Sequence, residues 1–159
     1  MTNYNINSIA RLALVLTIGS LNSISPVHAR GAGTGYINRA EQFPQGRTTP
    51  VRHTIQLTLP TAGIGRIQIV APEGIKVNRN IDIYNDTTQQ SLSPLLLLHP
   101  HPSNDVQIDF PQALPANTRI TIDLNRVRLW GLARNYQVYY QLINSSRYYY
   151  LGAAEFDRY

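Results

Sequence analysis

The nearest approach to a metal site in this sequence is a histidine pair in a proline-rich stretch. His99 and His101 flank Pro100, and Asp105 and Asp109 follow shortly afterwards. Two imidazoles two positions apart on an extended segment can face the same side and bind one ion. A metal site needs a third ligand and usually a fourth, whereas a rigid, solvated loop has the same composition. We therefore predict no metal and no other cofactor.

Covalent and acid–base catalysis have no matching residue pattern. The chain has no cysteine, which excludes thiol chemistry. No serine stands in a Gly-x-Ser-x-Gly elbow, and the serines cluster in turn-like stretches. Carboxylates such as those of Asp82 and Asp123 fall on the polar side of alternating segments, where a solvated strand face needs them. The sequence predicts a protein that is not an enzyme.

Arginine and tyrosine dominate the residues that could bind a ligand. Lys76 is the only lysine, and seven of the ten tyrosines lie from Tyr136 onwards. Guanidinium groups bind carboxylate, sulfate and phosphate through two parallel hydrogen bonds, and tyrosine rings offer rigid contact area. We predict a ligand surface over the last two strands, formed by Arg126, Arg128, Trp130, Tyr139 and Tyr149. On the last strand, either Tyr149 or the pair Tyr148 and Tyr150 would face outwards. The alternative to a ligand surface is that the tyrosines only fill a sheet, because tyrosine is a good strand former.

The elements that must position these residues are short strands. Apolar and polar residues alternate strictly in several segments, and these have their apolar members at Ile55, Leu57 and Leu59, at Ile67 and Ile69, at Ile81 and Ile83, at Val106, Ile108 and Phe110, and at Ile120, Ile122 and Leu124. Strict alternation places apolar side chains on one face of an antiparallel strand. Proline, glycine and asparagine turns separate the segments, and no helical stripe lasts three turns. This predicts an all-β, antiparallel β-sandwich of Ig-like, Greek-key type with about seven to nine strands, a closed barrel being the alternative.

Three local features carry narrower predictions. The inward positions change from even to odd numbers at Asn125-Arg126, which indicates a bulge or a bend between two sheets. Residues 144–146 join the last two strands as a hairpin. The four leucines at 95–98, confined by Pro94 and Pro100, form either a buried strand or one helical turn.

The N-terminal part has the pattern of a secretory leader. Arg11 precedes a short apolar run over 12–18, and Val27-His28-Ala29 provides small or modest residues before a cleavage site. The run is too short for a permanent membrane helix. We predict a signal peptide over 1–29 with cleavage after Ala29, an extended arm over 30–50 and a single sandwich domain over 51–159. No integral membrane segment is expected in the mature chain, which would be exported to the periplasm or the extracellular space.

Charge and composition narrow the partners. The formal net charge is +5 and the pI about 9.7, yet the basic residues form no lysine-rich stripe. Export also separates the protein from nucleic acid, so we predict no nucleic-acid partner. Without cysteine the exported domain must be held by packing alone, which is common in bacterial envelopes.

Three segments resemble a known family. They are 41–46 (EQFPQG), 110–118 (FPQALPANT) and 150–156 (YLGAAEF), and the resemblance spans most of 40–156. The chain is similar to the cyanobacterial exported family known as domain of unknown function 2808, although Ala153-Ala154 stand where that family is expected to be rich in glycine. The resemblance implies a small secreted or periplasmic protein and assigns no catalytic residue.

These observations predict an exported, non-enzymatic envelope or extracellular module with a structural or interaction-mediating role. The alternative is a module that binds anionic carbohydrate through arginine, tyrosine and tryptophan. Under either prediction, the partner of the chain would be an envelope polysaccharide or another envelope protein.

Overall fold

The computed structural model describes residues 35–44, 50–98, 105–129 and 135–156. These residues form eleven strands and no helix. The strands are β1 Tyr36–Phe43, β2 Val51–Thr58, β3 Ile64–Val70, β4 Ile75–Lys76, β5 Ile81–Asn85, β6 Gln90–Leu92, β7 Leu95–Leu98, β8 Val106–Leu114, β9 Arg119–Leu129, β10 Asn135–Leu142 and β11 Tyr148–Glu155.

The strands form two antiparallel sheets, which confirms the predicted sandwich. One sheet has the order β1-β2-β9-β5-β6, with β4 paired to the far end of β9, and the other has the order β11-β10-β3-β8-β7. Half of the connections between consecutive strands link strands of different sheets, so that each sheet combines segments distant in sequence. Within the described ranges no ladder joins the two sheets, which favours a sandwich over a closed barrel.

The core contains the alternating apolar residues. Ile55, Leu57, Ile67, Ile120 and Ile122 have no solvent exposure at all, and their polar neighbours point outwards. The other predicted inward residues of these segments are buried as well. Strict alternation therefore identified the inner face of each long strand.

The structure has more strands than the sequence predicted, and the reasons are local. β4 and β6 are only two and three residues long, too short to show alternation. The leucines at 95–98 form the edge strand β7 rather than a helical turn. Strand β1 lies inside the stretch that the sequence predicted to be an arm, and it pairs with β2 along its whole length. The sheet therefore extends to residue 36.

The parity change at Asn125-Arg126 is a bulge within one continuous strand. Val51 lies opposite Val127 and His53 opposite Leu124, so that Asn125 and Arg126 together face the single residue between them. β9 remains in the same sheet on both sides of the bulge, which excludes the bend between two sheets. The predicted hairpin after residue 142 is confirmed by the antiparallel pairing of β10 with β11.

Candidate functional site

The bulge in β9 presents two of the predicted ligand-binding arginines. Arg126 and Arg128 are exposed, whereas Val127 between them is buried. The backbone of Arg126 has a φ of 53°, in the left-handed region that glycine adopts most easily. A long charged side chain therefore occupies a position where its own backbone is strained.

The neighbouring strand adds further positive charge. Lys76 on β4 lies directly opposite Arg128, and both side chains are exposed. The turn after β4 carries exposed Arg79, and the side chain of Asn78 in the same turn donates a hydrogen bond of 3.2 Å to the carbonyl oxygen of Arg126. Like charges directly opposite in a ladder are destabilising.

Strand β2 brings one more arginine to the other side of the bulge. Arg52 lies between buried Val51 and His53, so that it points outwards, and its guanidinium group lies 5.1 Å from the centre of the Phe43 ring. We call Arg52, Lys76, Arg79, Arg126 and Arg128 the basic patch. Among the described residues none of these five forms an ion pair, in contrast to Arg39 with Glu41 and Arg66 with Asp109.

Two carboxylates border the basic patch on the same outer face. Asp82 on β5 lies directly opposite Asp123 on β9. The Oδ2 atom of Asp82 accepts a hydrogen bond of 2.8 Å from Asn125, and the Oδ1 atom of Asp123 accepts one of 2.5 Å from Thr54. Both acids are thus held in place by neutral partners.

The predicted surface is not formed as a unit, and this corrects the sequence-based site. Arg126 and Arg128 lie on the outer face of one sheet, whereas Tyr139 lies on the outer face of the other sheet, between buried Val138 and Tyr140. Trp130 lies outside the described residues. The two outer faces of a sandwich point in opposite directions, so Tyr139 cannot join the arginines in one groove.

Tyr149 is also misassigned, because its side chain belongs to the core side. It stacks on Tyr140, with ring centres 5.3 Å apart and an angle of 19° between the planes. The cause is a register shift between Val138 and Tyr139, where β11 has one extra residue. The outward tyrosines of β11 are consequently Tyr148 and Tyr150, and Tyr150 lies directly opposite Tyr139.

The outer face of the five-stranded sheet carries a hydrogen-bonded network that sequence reasoning missed. Arg66 binds both carboxylate oxygens of Asp109, at 2.5 and 2.9 Å, and also donates to Gln141 at 3.0 Å and to the hydroxyl of Tyr148 at 3.4 Å. Asp109 raises the pKa of Arg66 above its ordinary value. The network borders a shallow cleft of about 310 Å³ that exposed Ile143 also lines. Because Asp109 already neutralises Arg66, this face has little attraction for an anion.

A buried polar cluster also went unpredicted, since its members are far apart in sequence. His53 has no solvent exposure, and its Nδ1 lies 2.7 Å from the hydroxyl of Tyr136 and its Nε2 3.2 Å from Oε1 of Gln42. The ring of Phe156 stacks on the imidazole at 4.3 Å. Burial raises the pKa of Tyr136. The cluster ties β1, β2, β10 and the residue that follows β11 together, which is a structural role.

The histidine pair at 99 and 101 lies outside the described residues. Among the residues described, no group of three or more potential metal-ligating side chains comes together. Nor does any helix in those residues have the length and hydrophobicity to cross a bilayer.

Comparison with known proteins gives only distant structural likenesses. No family model matches the sequence, and no curated protein is similar to it. The chain is similar to the collagen-binding domain from a Staphylococcus aureus adhesin, with 12% identity, a TM-score of 0.44, and coverage of 79% of this chain and 99% of that one. It is also similar to a 35 kDa C-terminal fragment of the major pilin GBS80 of Streptococcus agalactiae, with 8% identity, a TM-score of 0.47, and coverage of 78% and 55%. A third likeness is to the pilus backbone RrgB from Streptococcus pneumoniae, with 10% identity, a TM-score of 0.45, and coverage of 67% and 31%.

Proposed function

We propose that this chain is an exported, non-enzymatic module that binds acidic polysaccharide of the cell envelope through the basic patch. The proposal includes removal of residues 1–29, a periplasmic or extracellular location and membership of the family known as domain of unknown function 2808. It retains Arg126 and Arg128 from the sequence-based site and replaces the tyrosines by Arg52, Lys76 and Arg79.

The observation that carries the proposal is the cross-strand pair of Lys76 and Arg128 beside the strained Arg126. A like-charged pair in a ladder costs about 0.2–1 kcal/mol relative to neutral residues. A non-glycine residue in the left-handed region costs about 1–2 kcal/mol. An anion bound between these side chains would turn the repulsion into attraction. The strained bulge places Arg126 on the same exposed face as Arg128, so both costs have a functional reason.

The residue types favour carboxylate or sulfate as the bound group. Four of the five cations of the basic patch are arginines, whose planar guanidinium groups donate two parallel hydrogen bonds to such an anion. The patch lies on an open strand face, where an extended chain can settle without a deep pocket. Polysaccharides with uronic acid or sulfate groups combine both properties.

Binding of the full chain to immobilised heparin and alginate tests the proposal. The Arg126→Gln/Arg128→Gln variant should bind about 10- to 30-fold more weakly, because it loses two charge-assisted contacts. The matched control is Arg119→Gln/Arg147→Gln, which removes two exposed arginines outside the patch. Raising the salt concentration should weaken the wild type more steeply than the patch variant.

Equal losses in the patch variant and in the control would contradict the proposal. That result would mean that net charge alone governs retention. Unchanged binding in both variants would exclude the basic patch as the binding site.

A further inference from the structure

The outer face of the six-stranded sheet changes sign abruptly along β9. Asp123 and its cross-strand partner Asp82 are both acidic, and after the bulge Arg128 and its cross-strand partner Lys76 are both basic. One cross-strand pair of two acids is thus followed, along the same strand, by one cross-strand pair of two bases. A ladder arranged for stability alone would place opposite charges across from each other.

No described cation is paired with the acidic pair of Asp82 and Asp123, and a hydrogen bond ties the pair to the bulge. Neither Asp82 nor Asp123 forms an ion pair with any of the residues described. Asn125 donates to Asp82 and is itself one of the two bulge residues, next to Arg126. The bulge therefore fixes the negative pair and the positive patch relative to one another.

The position of the acidic pair restricts how a polyanion can lie. A negatively charged chain that ran along β9 would leave the basic patch and meet Asp82 and Asp123 within a Debye length, about 8–10 Å. A chain that crosses the strands meets Arg52 on β2, then Arg126 and Arg128 on β9, then Lys76 on β4. This second path spans two strand spacings, about 10 Å, which is room for about two or three sugar units.

We propose that Asp82 and Asp123 are specificity-determining residues, which make the module select a short run of acidic sugars lying across the strands. This inference rests on the proposed function, since it concerns the same basic patch. Longer acidic chains bind through the same short run and gain nothing further from their additional charges.

The test uses oligomers of galacturonic acid of increasing length as probes, with calorimetry on the full chain. For the wild type, affinity should level off beyond about three units, after correction for the larger number of equivalent positions on a longer oligomer. In the Asp82→Asn/Asp123→Asn variant, affinity should keep rising with length and exceed the wild type about fivefold for the longest oligomer. Asparagine can still accept the hydrogen bonds from Thr54 and Asn125, so the fold should be retained.

The matched control is Asp105→Asn/Glu155→Gln, which removes the same charge from the other sheet. Asparagine at position 105 can still accept the hydrogen bond from Gln68. The control should keep the wild-type dependence on length.

Three outcomes would overturn the inference. If wild-type affinity rises with length as in the variant, the acidic pair sets no limit, although the proposed function stands. If the control behaves like the Asp82→Asn/Asp123→Asn variant, overall charge explains the effect. If neither the oligomers nor the heparin and alginate of the preceding experiment bind the wild type, the proposed function fails as well.

Discussion

The Arg126→Gly variant removes a cation from the basic patch and relieves its backbone at the same time. The left-handed conformation of Arg126 costs about 1–2 kcal/mol, and glycine adopts it without strain. Glycine gives back about 0.4–1 kcal/mol through the greater entropy of the unfolded chain. The expected net gain in the free energy of unfolding is therefore about 0.5–1 kcal/mol.

Little else in the structure opposes this gain. The side chain of Arg126 is exposed, and the hydrogen bond from Asn78 goes to its carbonyl oxygen, which glycine retains. A gain of this size should raise Tm by about 1–4 °C. Affinity for heparin should fall several-fold in the same variant, since the patch loses one of its five cations.

Thermal unfolding and heparin binding of Arg126→Gly are compared with those of Arg119→Gly. Arg119 is also exposed on β9, but it lies outside the basic patch and is not among the residues with positive φ. Glycine should therefore lower stability there by about 0.5–1 kcal/mol and leave heparin binding unchanged. The reasoning is refuted if Arg126→Gly loses as much stability as Arg119→Gly, or if it binds heparin as tightly as the wild type.

Three further predictions concern the rest of the molecule. Tyr136→Phe should lower the free energy of unfolding at pH 7 by about 1–3 kcal/mol in urea titrations, because His53 keeps a buried nitrogen without its hydroxyl partner. The free energy of unfolding of the wild type should fall above pH 10, because burial raises the pKa of Tyr136 in the folded state and only the unfolded chain then releases the proton. Tyr136 should contribute about 1.4 kcal/mol of this loss per pH unit. Tm measured from pH 8 to 11 should therefore decline less steeply in Tyr136→Phe than in the wild type. Arg66→Lys should lower the free energy of unfolding by about 0.5–1.5 kcal/mol in urea titrations, because the two-point contact with Asp109 is lost. The double variant Arg66→Lys/Asp109→Asn should be little less stable than Arg66→Lys alone.

The sequence predicted the structure best where a feature depends on the residues of a single strand. Period-two alternation at Ile120 and Ile122 requires only a strand and a buried face, and the structure buries both residues completely. The bulge at Asn125-Arg126 was visible for the same reason, because it shifts the parity within one segment. The left-handed backbone conformation of Arg126 could not be predicted, because arginine has no particular preference for a positive φ.

The site was harder to predict because it depends on pairing between strands. Lys76 pairs with Arg128, which is more than fifty residues away in sequence. β4 is too short to show the alternating pattern that predicts a strand. The prediction that Tyr149 faces outwards was wrong for a related reason. A single extra residue in β11 reverses which side Tyr149 faces, and no pattern within that strand shows the shift.

Two arginine environments in the same molecule bear on whether the basic patch has a function. Arg66 is aligned with a carboxylate, an amide and a hydroxyl, so that the sheet itself satisfies its charge. Arg126, which has a strained backbone, and Arg128, which has Lys76 opposite, lie on the outer face of the other sheet. Asp82 and Asp123 are close enough in that sheet to have been placed as their partners. The chain can therefore neutralise an arginine on a strand face and does not do so here. A site whose charges are left for a partner outside the molecule accounts for that difference, whereas a purely structural sheet end does not.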